Sequence, residues 1–262
     1  MARPRKPKGY LTALFEVIGK AQELLDECEV RDIPVNLLPL ARHQGIQQVK
    51  EMDISLDGQL LELESGGYEV IVSKNASLAR RRFTLAHEIA HTLLSTGEGS
   101  AACGVGLVEE LCNAAAAEIL VPSRFLRKLF STAEITVRSF VEVSKSFRCS
   151  LEVAGWRLLN MGFIEGALLI WRMRLEAGGE VLELAAVPHT WGWQVPVKTG
   201  MVLRPGEPLW KMLHHDQSAP AEIRDLWPGH VFHGEPLRMR KTALLFLYAA
   251  PKKELNPLGM RG

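Results

Sequence analysis

The chain has 262 residues, 47% hydrophobic and 23% charged, the proportions of a globular protein that builds its core without disulfide staples. Its 31 basic and 30 acidic side chains leave a formal charge of +1, which argues against nucleic acid as the main partner. The longest apolar run, Ala243 to Ala250, is far too short to cross a bilayer. The basic start is not followed by an apolar stretch and a small-residue cleavage site, so a cytoplasmic protein without a membrane role is expected.

Met1 to Gly9 alternates Arg3, Arg5, Lys6 and Lys8 with Pro4 and Pro7, and reads as a disordered basic tail. From Tyr10 to Cys28, Leu11, Leu14, Phe15, Ile18, Leu24 and Leu25 recur at the spacing of an amphipathic helix. A short helix is expected after Ile33, between Pro34 and Pro39. The period then shortens. Gly45–Val49, Met52–Leu56, Gln59–Leu63 and Tyr68–Ser73 read as strands of a small antiparallel sheet, with Asp57-Gly58 and Gly66-Gly67 as tight turns.

Asn75 or Ser77 caps the next helix, which carries Phe83, Leu85, His87, Ile89, His91 and Leu94 and stops near Gly97. A second long helix covers about Leu107 to Val121 and ends before Pro122. Shorter helices are expected over about Ser123–Phe130 and Val137–Asn160. A boundary follows near Met161 to Glu165. Beyond it the strand-like segments are Gly166–Arg174, Val181–Pro188, Met201–Leu203, Val231–His233 and Arg238–Ala249, with Ala177-Gly178-Gly179 as a hairpin turn and Leu209–Trp227 partly helical. The fold class is α+β. The cysteines Cys28, Cys103, Cys112 and Cys149 show no CxxC spacing and read as reduced thiols.

The chemistry sits in His87-Glu88-Ile89-Ala90-His91. Histidines at i and i+4 share one helix face, one turn apart, so both imidazoles can bind a single metal ion. Glu88 follows the first histidine, where its carboxylate can take a proton from an attacking water and pass it to a leaving amine. A hydrolytic site needs a third protein ligand and one open position. Glu118 is preferred, because the small residues Ala114 to Ala117 let its helix approach closely; Glu109 and Glu110 compete with it. Cys103 and Cys112 are set aside, since a fourth protein ligand would close the site. One divalent ion is expected: zinc suits two histidines and a glutamate, while manganese or iron is also permitted.

Arg82 to Leu94 (RFTLAHEIAHTLL) resembles the signature of the ImmA/IrrE metallopeptidases. Glu109 to Pro122 (EELCNAAAAEILVP) resembles that family's second motif. The resemblance implies a zincin-like peptidase domain over 10–125 and assigns His87, His91 and Glu118 to the metal and Glu88 to catalysis. A three-part layout similar to that of the family's radiation-response members implies a helix-turn-helix-like segment over 126–162 and a GAF-like sensor domain over 163–262. It further implies, as substrate, a transcriptional repressor of the helix-turn-helix class.

Two other classes of function compete. In a DNA-binding regulator the second helix, about Ser150–Leu159, would enter the major groove, but only Arg157 and Asn160 can read bases there, so direct DNA binding is disfavoured. A sensor would bind a small molecule in the C-terminal half, where Trp191, Trp193, Trp210 and Trp227 could line a pocket and His214, His215, His230 and His233, with Asp216, could hold a second metal. These tryptophans and histidines read more simply as core and surface. In the peptidase reading, Tyr68–Val72 is a candidate edge for an extended substrate. Tyr68, Arg81 and His43 are candidates to stabilise the oxyanion.

Overall fold

A computed structural model describes residues 9–95, 105–131, 133–193, 197–214, 220–223, 226 and 232–248. The basic tail apart from Gly9, as well as Cys103, His215, Asp216, Trp227 and His230, lie outside the described residues. The chain divides into two compact units. One is Met1–Ala133 with Val141–Arg157; the other is Glu134–Phe140 with Leu158–Gly262. The segment 126–162, expected as a separate middle part, is shared between them.

The first unit opens with α1 (Tyr10–Glu27) and α2 (Leu37–His43), the latter capped by Asn36, whose side chain accepts the Leu38 N–H. The sheet that follows is formed by β1 (Ile46–Met52), β2 (Gly58–Glu62) and β3 (Tyr68–Ser73), in the order β1-β3-β2. Three sequence readings change here. The expected strand Met52–Leu56 does not form, since Met52 ends β1 and residues 53–57 belong to no strand. The pairing is not wholly antiparallel, because β1 runs parallel to β3 while β2 runs antiparallel to it. And β3 is the central strand, with Val70 and Val72 buried, so Tyr68–Val72 cannot serve as an edge. The free strand beside the helix that follows is β2.

Gly66 and Gly67, both at φ near +80°, make the β2–β3 turn as expected. Asp57-Gly58 makes no tight turn. Gly58 begins β2 and is required there by proximity: a Cβ at this position would come within 2.2 Å of Thr84 Cγ2 and 3.0 Å of the Ile71 carbonyl oxygen. The sheet and the next helix, α3 (Leu78–Ser95), meet at this contact. Gly58→Ala should therefore lower stability by about 1–3 kcal/mol, the cost of overpacking. Thr84→Ser, which deletes Cγ2, should recover most of it. Thermal melts of the single and double variants read the effect; an unshifted melt for Gly58→Ala alone contradicts the account.

α3 starts where Ser77 Oγ accepts the Arg80 N–H. It buries Ala86, Ile89, Ala90 and Leu93 against α1 and against α4 (Val105–Leu120). Ala115 and Ala116 are fully buried, and their small size lets α4 approach its neighbours closely. After α5 (Ser123–Leu129) come α6 (Val137–Phe147) and α7 (Leu151–Leu159). The turn between the last two passes through Arg148 at φ 51°, and the Ser150 hydroxyl accepts the Val153 N–H as the cap of α7.

The second unit is a six-stranded antiparallel sheet in the order β6-β5-β4-β9-β8-β7. Its strands are β4 (Gly166–Glu176), β5 (Gly179–Ala186), β6 (Val202–Leu203), β7 (Ala221–Ile223), β8 (Phe232–Arg238) and β9 (Thr242–Tyr248); α8 (Pro208–His214) lies between β6 and β7 in the chain. Ala177 and Gly178 form the β4–β5 turn, as expected. The expected strand Arg238–Ala249 begins instead at Thr242, and β8 runs on past His233 through Pro236. Pro236 is tolerated because the Met239 N–H bonds the Thr242 carbonyl, which by alternation turns the Pro236 nitrogen away from β9. On that side β7 pairs no further than Gly234.

One face of this sheet packs Leu169, Trp171, Leu245 and Leu247, with Trp193 and Trp210 partly buried against that cluster. His214 stacks on Trp210 and His233 on Tyr248, while Trp191 is exposed.

Candidate metal centre

His87 and His91 lie one turn apart on α3 and turn their Nε2 atoms toward each other, 3.1 Å apart. The third group that reaches them is Glu109, on the first half of α4: Oε2 is 3.2 Å from His87 Nε2 and Oε1 is 3.6 Å from His91 Nε2. One ligand atom from each of the three lies within 4.8 Å of the others. Two nitrogens each bound at 2.0–2.1 Å to one tetrahedral zinc stand roughly 3.3 Å apart, so these separations suit a common ion.

Electrostatics agree with a neutral His87. Burial holds the His87 imidazole below its ordinary pKa, and the neighbouring His91 adds to this; Glu109 and a hydrogen bond with Asn113 work in the other direction. His87 Nδ1 is buried without a hydrogen-bond partner.

Glu88 is 8% exposed and reaches toward β2, where a Cβ on Gly58 would stand 3.6 Å from its Oε1. Burial, and secondarily the charge of Glu109, push its carboxyl up to about 7. A carboxyl poised near neutrality can both take and return a proton. Cys112, fully buried on α4, lies 3.4 Å through Sγ from His91 Nδ1. Burial raises its thiol to about 12, and that of Cys149 likewise. Among the described residues, Cys28, Cys112 and Cys149 are all free thiols.

Glu118 is not brought to the histidines, and the preference for it as third ligand gives way to Glu109. The reason is helical geometry. Nine residues at about 100° each turn Glu118 to the opposite side of α4 from Glu109, roughly 13 Å further along the axis. There it is 1% exposed and fully engaged: it accepts the Ser123 N–H and hydroxyl, both at 2.8 Å, an amide N–H of Gln22 at 3.3 Å, and the Arg157 guanidinium. Glu109, Cys112 and Asn113 instead follow the i, i+3, i+4 spacing of one face. That spacing was the signal available in the sequence for the glutamate that stands beside the histidines.

The remaining candidates have other partners. Arg157 also donates Nε to the Val121 carbonyl, and the Asn160 amide bonds the His189 carbonyl and the Trp191 N–H, so both proposed base readers are engaged within the fold. His43 pairs with Glu27 and Arg81 with Glu51.

The family model described as the IrrE N-terminal-like domain matches residues 28–159, a span that contains all of α3 and α4. No curated protein matches. Among solved structures, a Mycobacterium tuberculosis transcriptional regulator is similar over 91% of this chain and 90% of its own, with a TM-score of 0.53 and 14% identity, a likeness of fold.

Proposed function

The chain belongs to the IrrE N-terminal-like domain family, and on that premise we propose that it is a metal-dependent endopeptidase that cuts a helix-turn-helix transcriptional repressor to switch on a DNA-damage response. The observation that carries the reading is the convergence of His87, His91 and Glu109 beside a buried Glu88. Zinc is the first choice for two imidazoles and a carboxylate, with manganese or iron also compatible. Held there, the ion supplies the Lewis acidity that polarises a scissile carbonyl.

The chain's own residues do the rest. His87 and His91 present Nε2, and Glu109 presents a carboxylate oxygen. Glu88 accepts the proton of the attacking water and returns it to the nitrogen of the departing amine, so it is unchanged over a turnover. The substrate lies along β2. The Ser73 N–H bonds the Asp57 carbonyl and the Leu63 N–H bonds the Gly67 carbonyl, so odd-numbered β2 residues face β3. By alternation, the backbone groups of Gly58, Leu60 and Glu62 face off the sheet edge and can pair with an extended peptide next to Glu88.

Leu60→Pro removes one outward N–H without breaking the β2–β3 ladder. It should slow cleavage by about tenfold, equivalent to one net hydrogen bond, while Leu60→Ala, which also loses the side chain, cleaves more nearly as wild type. Equal rates for the two variants dispose of the docking model. A finer likeness, to the three-part radiation-response regulator of Deinococcus, adds the proposal that the second unit is a GAF-like sensor of the activating signal. The function as a whole is tested by comparing the proteomes of wild-type and Glu88→Ala cells before and after DNA damage. One repressor should be lost only where Glu88 is present; identical responses rule out the peptidase reading.

A further inference from the structure

An imidazole that binds a metal through Nε2 carries its proton on Nδ1, and that proton needs an acceptor if the ring is to hold its orientation. His91 already turns Nε2 toward His87 and Glu109. On its Nδ1 side stands Cys112, with Sγ at 3.4 Å in a fully buried position. We propose that Cys112 is a positioning residue, whose thiol accepts the Nδ1–H of His91 and so fixes the tautomer and ring orientation in which Nε2 is a ligand.

The placement follows from the helix. Cys112 is one turn beyond Glu109 on α4, so the same face that delivers the carboxylate ligand also delivers the acceptor behind the imidazole. The two nitrogens of an imidazole point in diverging directions. A sulfur at Nδ1 therefore lies behind the ring from the ion and is not a fourth ligand, which leaves a position open for water and substrate. A thiol is a weak, uncharged acceptor. It orients His91 without adding the negative charge that a carboxylate would place there, so the ion keeps more of its Lewis acidity.

This inference rests on His87, His91 and Glu109 being the metal centre, and the experiment separates the two. Full-length wild type, Cys112→Ala and Cys112→Ser are purified metal-free, checked by thermal melting, and titrated with Zn(II) against a chromogenic chelator and with Co(II) by absorption spectroscopy. Cys112→Ala should bind Zn(II) about tenfold more weakly, the lower end of the effect of losing an outer-shell partner, and show an altered Co(II) spectrum. Cys112→Ser, which restores an acceptor, should stay within about threefold of wild type.

Wild-type Co(II) protein should lack an intense sulfur-to-cobalt charge-transfer band. Such a band, lost in both variants, overturns the inference by making Cys112 a ligand. Equal affinities and spectra for all three proteins overturn it by making the thiol irrelevant to the centre. A folded wild type that binds neither ion removes the metal-centre reading itself, and the inference with it.

Discussion

Replacing Glu88 by glutamine should leave the metal content unchanged while cleavage of the proposed repressor substrate falls by about 10²–10⁴-fold, the range for loss of a general acid–base. The amide keeps the shape of the side chain in its pocket between α3 and β2, so the helix that presents His87 and His91 is not disturbed. What is lost is the ability to hold a proton between the attack of water and the departure of the amine. Single-turnover cleavage of the substrate that the proteome comparison identifies, run beside metal analysis of the same sample, separates the two effects. A variant that has lost its metal would make Glu88 a structural support of the centre; full activity with metal in place would take it out of the mechanism.

The second large effect distinguishes the two glutamates of α4. Glu109→Gln should weaken metal binding by at least about tenfold and leave the melting temperature of the metal-free protein nearly unchanged, since its side chain is 48% exposed. Glu118→Gln should do the reverse. Its carboxylate neutralises Arg157, and both side chains are buried. Removing one partner of such a pair leaves an uncompensated charge, at a cost of about 3–5 kcal/mol. Denaturant titration and chelator competition on the two variants give opposite patterns. Were Glu118→Gln to lose metal at unchanged stability, the assignment would revert to Glu118.

How far the sequence could be read follows from which interactions are local. The register of His87, Glu88 and His91 is a property of one helix, and the spacing alone places it; for the cap the sequence offers Asn75 or Ser77, and the structure uses Ser77. Gly66-Gly67 is equally local, because positive φ at both positions defines the turn. Gly58 reads the same way by composition, yet its reason is Thr84, a residue on another element that no turn rule can see. The central position of β3 likewise depends on β1 pairing across the β2 hairpin, a non-local choice. The motif offered three glutamates on one helix, Glu109, Glu110 and Glu118. The histidines select by angle around that helix, and the burial of Arg157 against Glu118 could be known only from α7.

The boundary between the units runs through α6 and again through α7, so the chain passes from one unit to the other at Ala133, returns at Phe140 and leaves once more at Arg157. The short stretch Glu134–Phe140 is consequential for the second unit: the Val137 N–H bonds the buried Glu235 carboxylate at 2.9 Å, and Phe140 packs edge-on to Phe246 on β9. A fragment begun at Gly166 would discard both contacts, leaving a buried carboxylate without its donor and a hole beside β9. Recombination at a single crossover near Gly166 therefore cannot lift the sheet away as a ready-made cassette, and the second unit has to be inherited together with the stretch Glu134–Phe140 that lies earlier in the chain.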